Sequence, residues 1–398
     1  MLHLKICIGL LFSLLLPFPL NNFFYFESHI EAVASSEKNE LGQLTLAEIW
    51  EIPAALKRTL NFRDNMRDVA QGIIDKHPTD LILVGNGSSY HAGCASQYVF
   101  ISLAKIPTIA VLAPEFPYLV EPIIHANMAI IAISQSGESE DSLQVCQVAK
   151  SAGALTIGIT NNTESTLANT ADLLITTNCG PEKSVLATKT YVSELGALFG
   201  LALELSFLAG SLSDEDYENY WKELNLTPDK IELLLTNLRS TIRKISRYFK
   251  FAEKAFVIGA GPDFATAQEA ALKLKEGARV YAQAYSTSEF PHGPITLADP
   301  SSWIIAIIPH EQDERRENIL KLLVRLKERQ ATILGISSQT TPTSELDFLD
   351  HIINLPTVPF IFYPIIAIIP IQLLTVEIAI IKNLDPDEPK YLSKVSHI

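Results

Sequence analysis

The chain has 398 residues, enough for two domains or one large one, and its composition, 47% hydrophobic and 19% charged, is that of a folded globular protein. A formal net charge of -14 excludes a basic surface for nucleic acid, although local groups can still hold a small anion. Four cysteines (Cys7, Cys94, Cys146, Cys179) stand far apart, with no C-x-x-C pair and no His/Cys cluster. That pattern offers no zinc site and suits a reducing, cytoplasmic setting.

The N-terminal stretch, residues 1–44, is read as an apolar leader or a non-native extension. Lys5, the eleven-residue apolar run Ile6–Leu16 and the triplet Ala32-Val33-Ala34 are features of a secretory signal. Against this, Ala34 lies 18 residues beyond Leu16, and Pro17, Pro19, Asn21 and Asn22 spoil a membrane helix. Export or anchoring stays open here, and the segment is set aside from the fold.

The core begins near "LTLAEIWEIPAALKRTL", a helix-like entry with Trp50 and Leu56 at roughly helical spacing. "DLILVGNGSSYHAGCASQYVF" then reads as strand, G-x-G turn and helix. "MAIIAISQSGESEDSLQVCQVAKSAGALTIGITN" reads as strand, polar turn, helix and strand. After a charged helical region, Asp214 to Lys250, the grammar recurs. "KAFVIGAGPDFATAQEAALKL" mirrors the first unit and "SWIIAIIPHEQDERRENILKLLVRLKERQATILGIS" the second. Gly85 precedes Ser134 by 49 positions and Gly259 precedes Pro309 by 50, so the chain is a duplication.

Short buried strands alternating with amphipathic helices imply parallel βαβ units, and two such halves make two tandem doubly wound α/β domains, 45–230 and 231–385. A tail, 386–398, follows. Ligands in such folds sit beyond the carboxyl ends of strands, at helix N-termini. Neither "GNGSSY" nor "GAGPDF" completes G-x-G-x-x-G, because Tyr90 and Phe264 hold the last glycine position, which argues against a dinucleotide.

The two halves differ at the key turn. The first reads Ser134-Gln135-Ser136-Gly137-Glu138-Ser139; the second reads Pro309-His310-Glu311-Gln312-Asp313-Glu314. Hydroxyls and backbone N–H groups at a helix start suit an anion, whereas three acids and a proline do not. A phosphate therefore belongs to the first copy, with Ser142 as the cap of the following helix. Glu269, Lys273 and Glu276 fall at i, i+4 and i+7 and share a helix face. Such spacing is commonly a solvated Glu–Lys face, but "AALKL" between them carries no opposing charge. Near the C-terminus, 25 uncharged residues run from Ile352 to Val376. Prolines 356, 359, 364 and 370 make a membrane helix a poor reading and a buried strand-to-helix segment, with a subunit contact in reserve, a better one.

Taken together, "GNGSSYHAG", "SQSGESEDS", "ATKTYVSEL", "EAALKLKE", "EFPHGP" and "PDEPKYLSK" resemble the double SIS (sugar isomerase) proteins from about Leu44 to the C-terminus. The likeness is to the isomerase half of glucosamine-6-phosphate synthases and to SIS-type glucosamine-6-phosphate deaminases. The resemblance implies a flavodoxin-like fold, no metal or other cofactor, and a homodimer with shared active sites. It places Ser88 and Ser89 at the sugar phosphate and Ser134, Gln135, Ser136 and Ser139 in the phosphate loop. Thr188 falls in a substrate-contacting segment, where Ala187 replaces the serine usual in the synthases. Glu269, Lys273 and Glu276 fall on the catalytic helix, with Glu276 as the isomerising base. His292 matches the ring-opening histidine, which the neighbouring subunit supplies in the synthases, and Lys394 the lysine of a tail closing over the sugar.

A glutaminase domain of a few hundred residues precedes the isomerase half in the synthases. Here about 45 residues precede the core, and Cys7 sits in an apolar run, which argues against glutamine-dependent synthesis. "GPEKSVLATK" also looks more like the deaminases. The expected reaction is glucosamine 6-phosphate to fructose 6-phosphate plus ammonia. A fructosamine-6-phosphate deglycase and an ammonia-dependent synthase are the related alternatives, and a non-catalytic sugar-phosphate sensor is the alternative of another class.

Overall fold

The computed structural model describes residues 41–394 apart from 253 and 312, so the leader expected over 1–44 lies almost wholly outside the described residues. The chain enters through three helices, α1 (Gln43–Trp50), α2 (Ile52–Leu60) and α3 (Arg63–Lys76). Leu56 is fully buried on α2, whereas Trp50, at the end of α1, stays 40% exposed, so the two do not share one buried face.

The first half builds β1 (Asp80–Gly85), α4 (Gly87–Val99), β2 (Thr108–Leu112), β3 (Met128–Ile133), α5 (Glu140–Ser151), β4 (Leu155–Thr160) and β5 (Leu173–Thr176). All its strand pairs are parallel and the spatial order is β2-β1-β3-β4-β5. Every residue of β3 is buried. Its unbroken apolar run is what a parallel strand covered on both faces requires.

The buried helix α6 (Lys189–Leu208) and the 33-residue α7 (Asp214–Ser246) then carry the chain to the second half. Helix α7 passes without a break through residue 230, where the sequence divides the domains. There β6 (Lys254–Gly259), α8 (Pro262–Ala278), β7 (Tyr281–Ser286), β8 (Trp303–Ile307), α9 (Glu314–Glu328), β9 (Thr332–Ser338) and β10 (His351–Leu355) form a second parallel sheet. Its order, β10-β9-β8-β6-β7, repeats the first when read from the other edge. The duplication is thus one of structure, and the two doubly wound sheets expected from the sequence are present.

The apolar segment after β10 ends in α10 (Ile369–Ile381). Pro364 and Pro370 occupy the first turns of helices, where a missing N–H costs no hydrogen bond. Ile361 through Ala379 are buried within this chain's own core, which accounts for the segment without a membrane or a partner. Among the described residues two helices, Lys189–Leu208 and Phe360–Ile381, are long and apolar enough to cross a membrane, and both are packed inside the protein.

Candidate active site

Helix α4 packs against α8, and this contact brings the turn after β1 onto the charged face of the second half. Gly85 makes the turn tight, since a Cβ there would press on the backbone of Ser89 and Tyr90 at 2.9 Å. Beside it lies a cavity of about 160 Å³. Asn86, Ser88 and Ser89 line it from the turn, Gln135 from the loop after β3, and Glu182, Val185, Ala187 and Thr190 from the loop into α6. Lys273 and Glu276 face it from α8, and Leu392 to Lys394 close it from the tail. A larger groove of about 400 Å³ runs between α2 and α7, but Lys57, Asp229 and Glu232 there meet mostly apolar neighbours such as Trp50, Pro53 and Leu235. The smaller cavity holds the convergent polar groups.

On α8 the predicted face is buried rather than solvated. Lys273 is 1% exposed, with its Nζ 2.6 Å from Glu276 Oε2 and 3.4 Å from Glu269 Oε1, and it donates to Ser88 Oγ at 3.2 Å. Burial alone would lower the Lys273 ammonium, yet the Glu269 and Glu276 carboxylates outweigh it and hold it above its ordinary value. Ser88 Oγ donates to Glu269 Oε1 at 2.8 Å, and His91 Nδ1 stands 2.8 Å from Glu269 Oε2. Burial would raise the Glu269 carboxyl, but Lys273 and then His91 and Ser88 keep it below the usual carboxylate range. Glu269 thus lies behind the cavity, bracing Ser88 and Lys273, and Glu276 reaches it.

The turn after β3 is held by its own polar groups. Gly137, at φ 69°, donates its N–H to both the carbonyl and Oγ of Ser134. Glu138 N–H donates to Ser136 Oγ, and Thr160 Oγ1 to the Gln135 carbonyl. Gln135 lines the cavity, whereas Ser134 is buried within the turn and Ser136 and Ser139 stand half-buried beside it. Ser139, not Ser142, occupies the cap position of α5. Ser142 therefore falls at the third position of the helix, three residues past the cap, where its buried Oγ finds no partner among the described residues. Asn86 Nδ2 donates to Ser139 Oγ at 3.3 Å and Asp141 Oδ2 at 3.1 Å, tying the two loops together.

Thr188 sits at the start of α6, and its N–H and Oγ1 both donate to Glu182 Oε1. Its side chain braces Glu182 and does not line the cavity. Lys394 Nζ donates to Glu182 Oε2 at 2.8 Å and to the Ser184 carbonyl at 2.7 Å. Burial would raise the Glu182 carboxyl; Lys394, the Thr190 hydroxyl that donates to its Oε2, and Thr188 N–H bring it below its ordinary value. The tail reaches this point because Asp387 accepts from the N–H groups of Leu44 and Thr45, and its carbonyl accepts from Val185 N–H. His292 is exposed in a short turn, Phe290–His292, and does not line the cavity of its own chain.

Sequence reasoning missed Asn86, His91, Glu182 and Glu194. For Glu194 a signal existed, since a lone acid in the apolar stretch "TYVSELGALFG" has to be buried with α6. Its Oε1 accepts from Ser89 Oγ at 2.9 Å. Burial pushes its carboxyl from the ordinary 4.5 up to about 8. A carboxyl raised this way keeps a proton that the unfolded chain has already released, so its contribution to stability is present below 4.5 and lost as pH rises to about 8. Relative to the wild type, Glu194→Gln is expected to gain roughly 2–4 kcal/mol at pH 8 and almost nothing at pH 4.5, measured by urea unfolding. Equal gains at both pH values would contradict a buried neutral acid.

The SIS domain family matches this chain twice, at residues 73–203 and 248–382. The glutamine–fructose-6-phosphate aminotransferase (isomerizing) of Caldanaerobacter subterraneus is 33% identical over 373 residues, covering 91% of this chain and 60% of that protein. Its counterpart in Thermococcus kodakarensis is 34% identical over 360 residues, covering 90% and 58%. The chain therefore spans about three-fifths of the length of these relatives. Among solved structures, the C-terminal domain of glucosamine-fructose-6-phosphate aminotransferase from Francisella tularensis superposes with a TM-score of 0.80 at 29% identity, over 89% of this chain and 100% of that one. A glucosamine-6-phosphate deaminase from Thermotoga maritima gives 0.70 at 25% identity, over 89% and 99%. With both halves matched and both sheets in place, the chain belongs to the SIS domain family.

Proposed function

We propose that this chain is an aminosugar-phosphate isomerase and deaminase that converts glucosamine 6-phosphate and water to fructose 6-phosphate and ammonia. The observation that carries the reading is the junction of a hydroxyl-rich loop pair, Ser88-Ser89 and Gln135, with the Glu269–Lys273–Glu276 cluster in one cavity under Lys394. The phosphate docks at the loops, where hydroxyls and helix N-termini offer donors. Glu276 takes the C2 proton of the open-chain aldose and returns it to C1, leaving a C2 imine. Water hydrolyses that imine, releasing ammonia. Lys273 balances the carboxylates, and Lys394 and Glu182 hold the tail over the sugar.

Ring opening is assigned to His292 of a second copy, since the histidine of one chain is exposed outside its own cavity; a homodimer with shared sites is part of this reading. Three described cysteines, Cys94, Cys146 and Cys179, are buried free thiols, which fits a cytoplasmic setting. The aminotransferase relatives support a second reading, ammonia-dependent synthesis of glucosamine 6-phosphate in the same cavity. A panel of phosphorylated aminosugars and fructosamine 6-phosphate, with ammonia measured for each, separates these. The expected result is one ammonia per glucosamine 6-phosphate consumed, with glutamine without effect. Release from fructosamine 6-phosphate alone would make the chain a deglycase. Binding of every member without turnover would make it a sensor.

A further inference from the structure

Glu194 has no task in the reaction above, yet it is the group directly behind Ser89. The residue is 2% exposed, its Oε1 accepts from Ser89 Oγ at 2.9 Å, and its Oε2 has no hydrogen-bond partner among the described residues. The charged groups that reach it are Glu182 from the loop before α6, Glu269 from α8 and Lys394 from the tail, with the Tyr191 phenol and Cys179 thiol close by. Ser89 stands between this carboxyl and the cavity, and a hydroxyl has one hydrogen to give.

We propose that Glu194 is a positioning residue that, by holding or losing a proton, sets which way the Ser89 hydroxyl points. With the acid protonated, Glu194 donates to Ser89 Oγ, and the Ser89 hydrogen turns into the cavity as a donor. With the acid ionised, Ser89 donates back to it and offers the cavity only lone pairs, which repel an anion. The inference rests on the proposed function in one respect, that the ligand facing Ser89 is a sugar phosphate. Burial pushes the Glu194 carboxyl up to about 8 against the Ser89 hydrogen bond; Glu182 and Glu269 add to the rise and Lys394 opposes it. The device therefore switches just above neutral pH.

The test is calorimetric binding of fructose 6-phosphate, which has no amine to titrate, to the full chain from pH 6.5 to 9.5. The wild type is expected to bind about tenfold more weakly at the alkaline end, the loss of one charge-assisted donor. Glu194→Gln, which cannot ionise, is expected to remove that step while binding at pH 7 stays within about threefold. Should Glu194→Gln fold poorly, Ser89→Ala serves instead, since without the hydroxyl the step disappears at a uniformly lower affinity. A step that survives in either variant overturns the proposal and leaves the functional reading standing. Wild-type protein that binds no fructose 6-phosphate at any pH would bring down the functional reading and this one with it.

Discussion

Glu276→Gln is expected to bind sugar phosphate nearly as well as the wild type and to turn it over about 100- to 10,000-fold more slowly. The amide keeps the size of the carboxylate and its place in the cavity, so the loops proposed to hold the phosphate, which line the cavity with Ser88, Ser89 and Gln135, are untouched. What it loses is the ability to accept a proton from carbon, and no neighbour can take over. Lys273 is held as an ammonium by Glu269 and Glu276, and Glu269 lies behind it, engaged by Ser88 and His91. Separate determination of kcat and KM checks this, and the prediction is a fall in kcat with KM close to unchanged. Unchanged turnover would remove Glu276 from the chemistry.

Lys273→Met is expected to cost about 3–5 kcal/mol of stability in addition to activity. The lysine is 1% exposed and stands against a Glu269 side chain with no exposure at all. Removing its charge leaves a buried carboxylate supported only by His91 and Ser88. The same substitution in a Glu269→Gln background should cost markedly less, because the uncompensated charge is gone; denaturant unfolding of the four proteins gives the coupling. Additive losses would mean that the two residues do not form the pair described.

How far the sequence could be read follows from where each signal originates. Parallel strands covered on both faces appear as short apolar runs, so "MAIIAI" and "WIIAI" announced the sheets, and the repeated spacing of their turns announced the duplication. The face formed by Glu269, Lys273 and Glu276 was legible because helical spacing is local. Its burial was not, since it comes from α4, some 180 positions earlier in the chain. Glu182 was passed over for the same reason: its value depends on Lys394, 212 residues away. The hydroxyls of "SQSGESEDS" could be counted but not oriented. In the structure Gln135 faces the cavity, Ser134 braces the turn by accepting from Gly137 N–H, and Ser139 rather than Ser142 caps the helix. The C-terminal apolar stretch was legible as buried; that its own chain provides the cover was a property of the packing.

The proposed function requires that this cavity change aminosugar phosphates chemically and not merely hold them. Glucosamine 6-phosphate incubated with the purified chain and followed by phosphorus and proton magnetic resonance tests it most directly. Fructose 6-phosphate is expected to appear with an equal amount of ammonia, at a rate at least about 100-fold lower in Glu276→Gln. Glucosamine 6-phosphate that binds, shifts its resonances and stays unconverted over hours would contradict it.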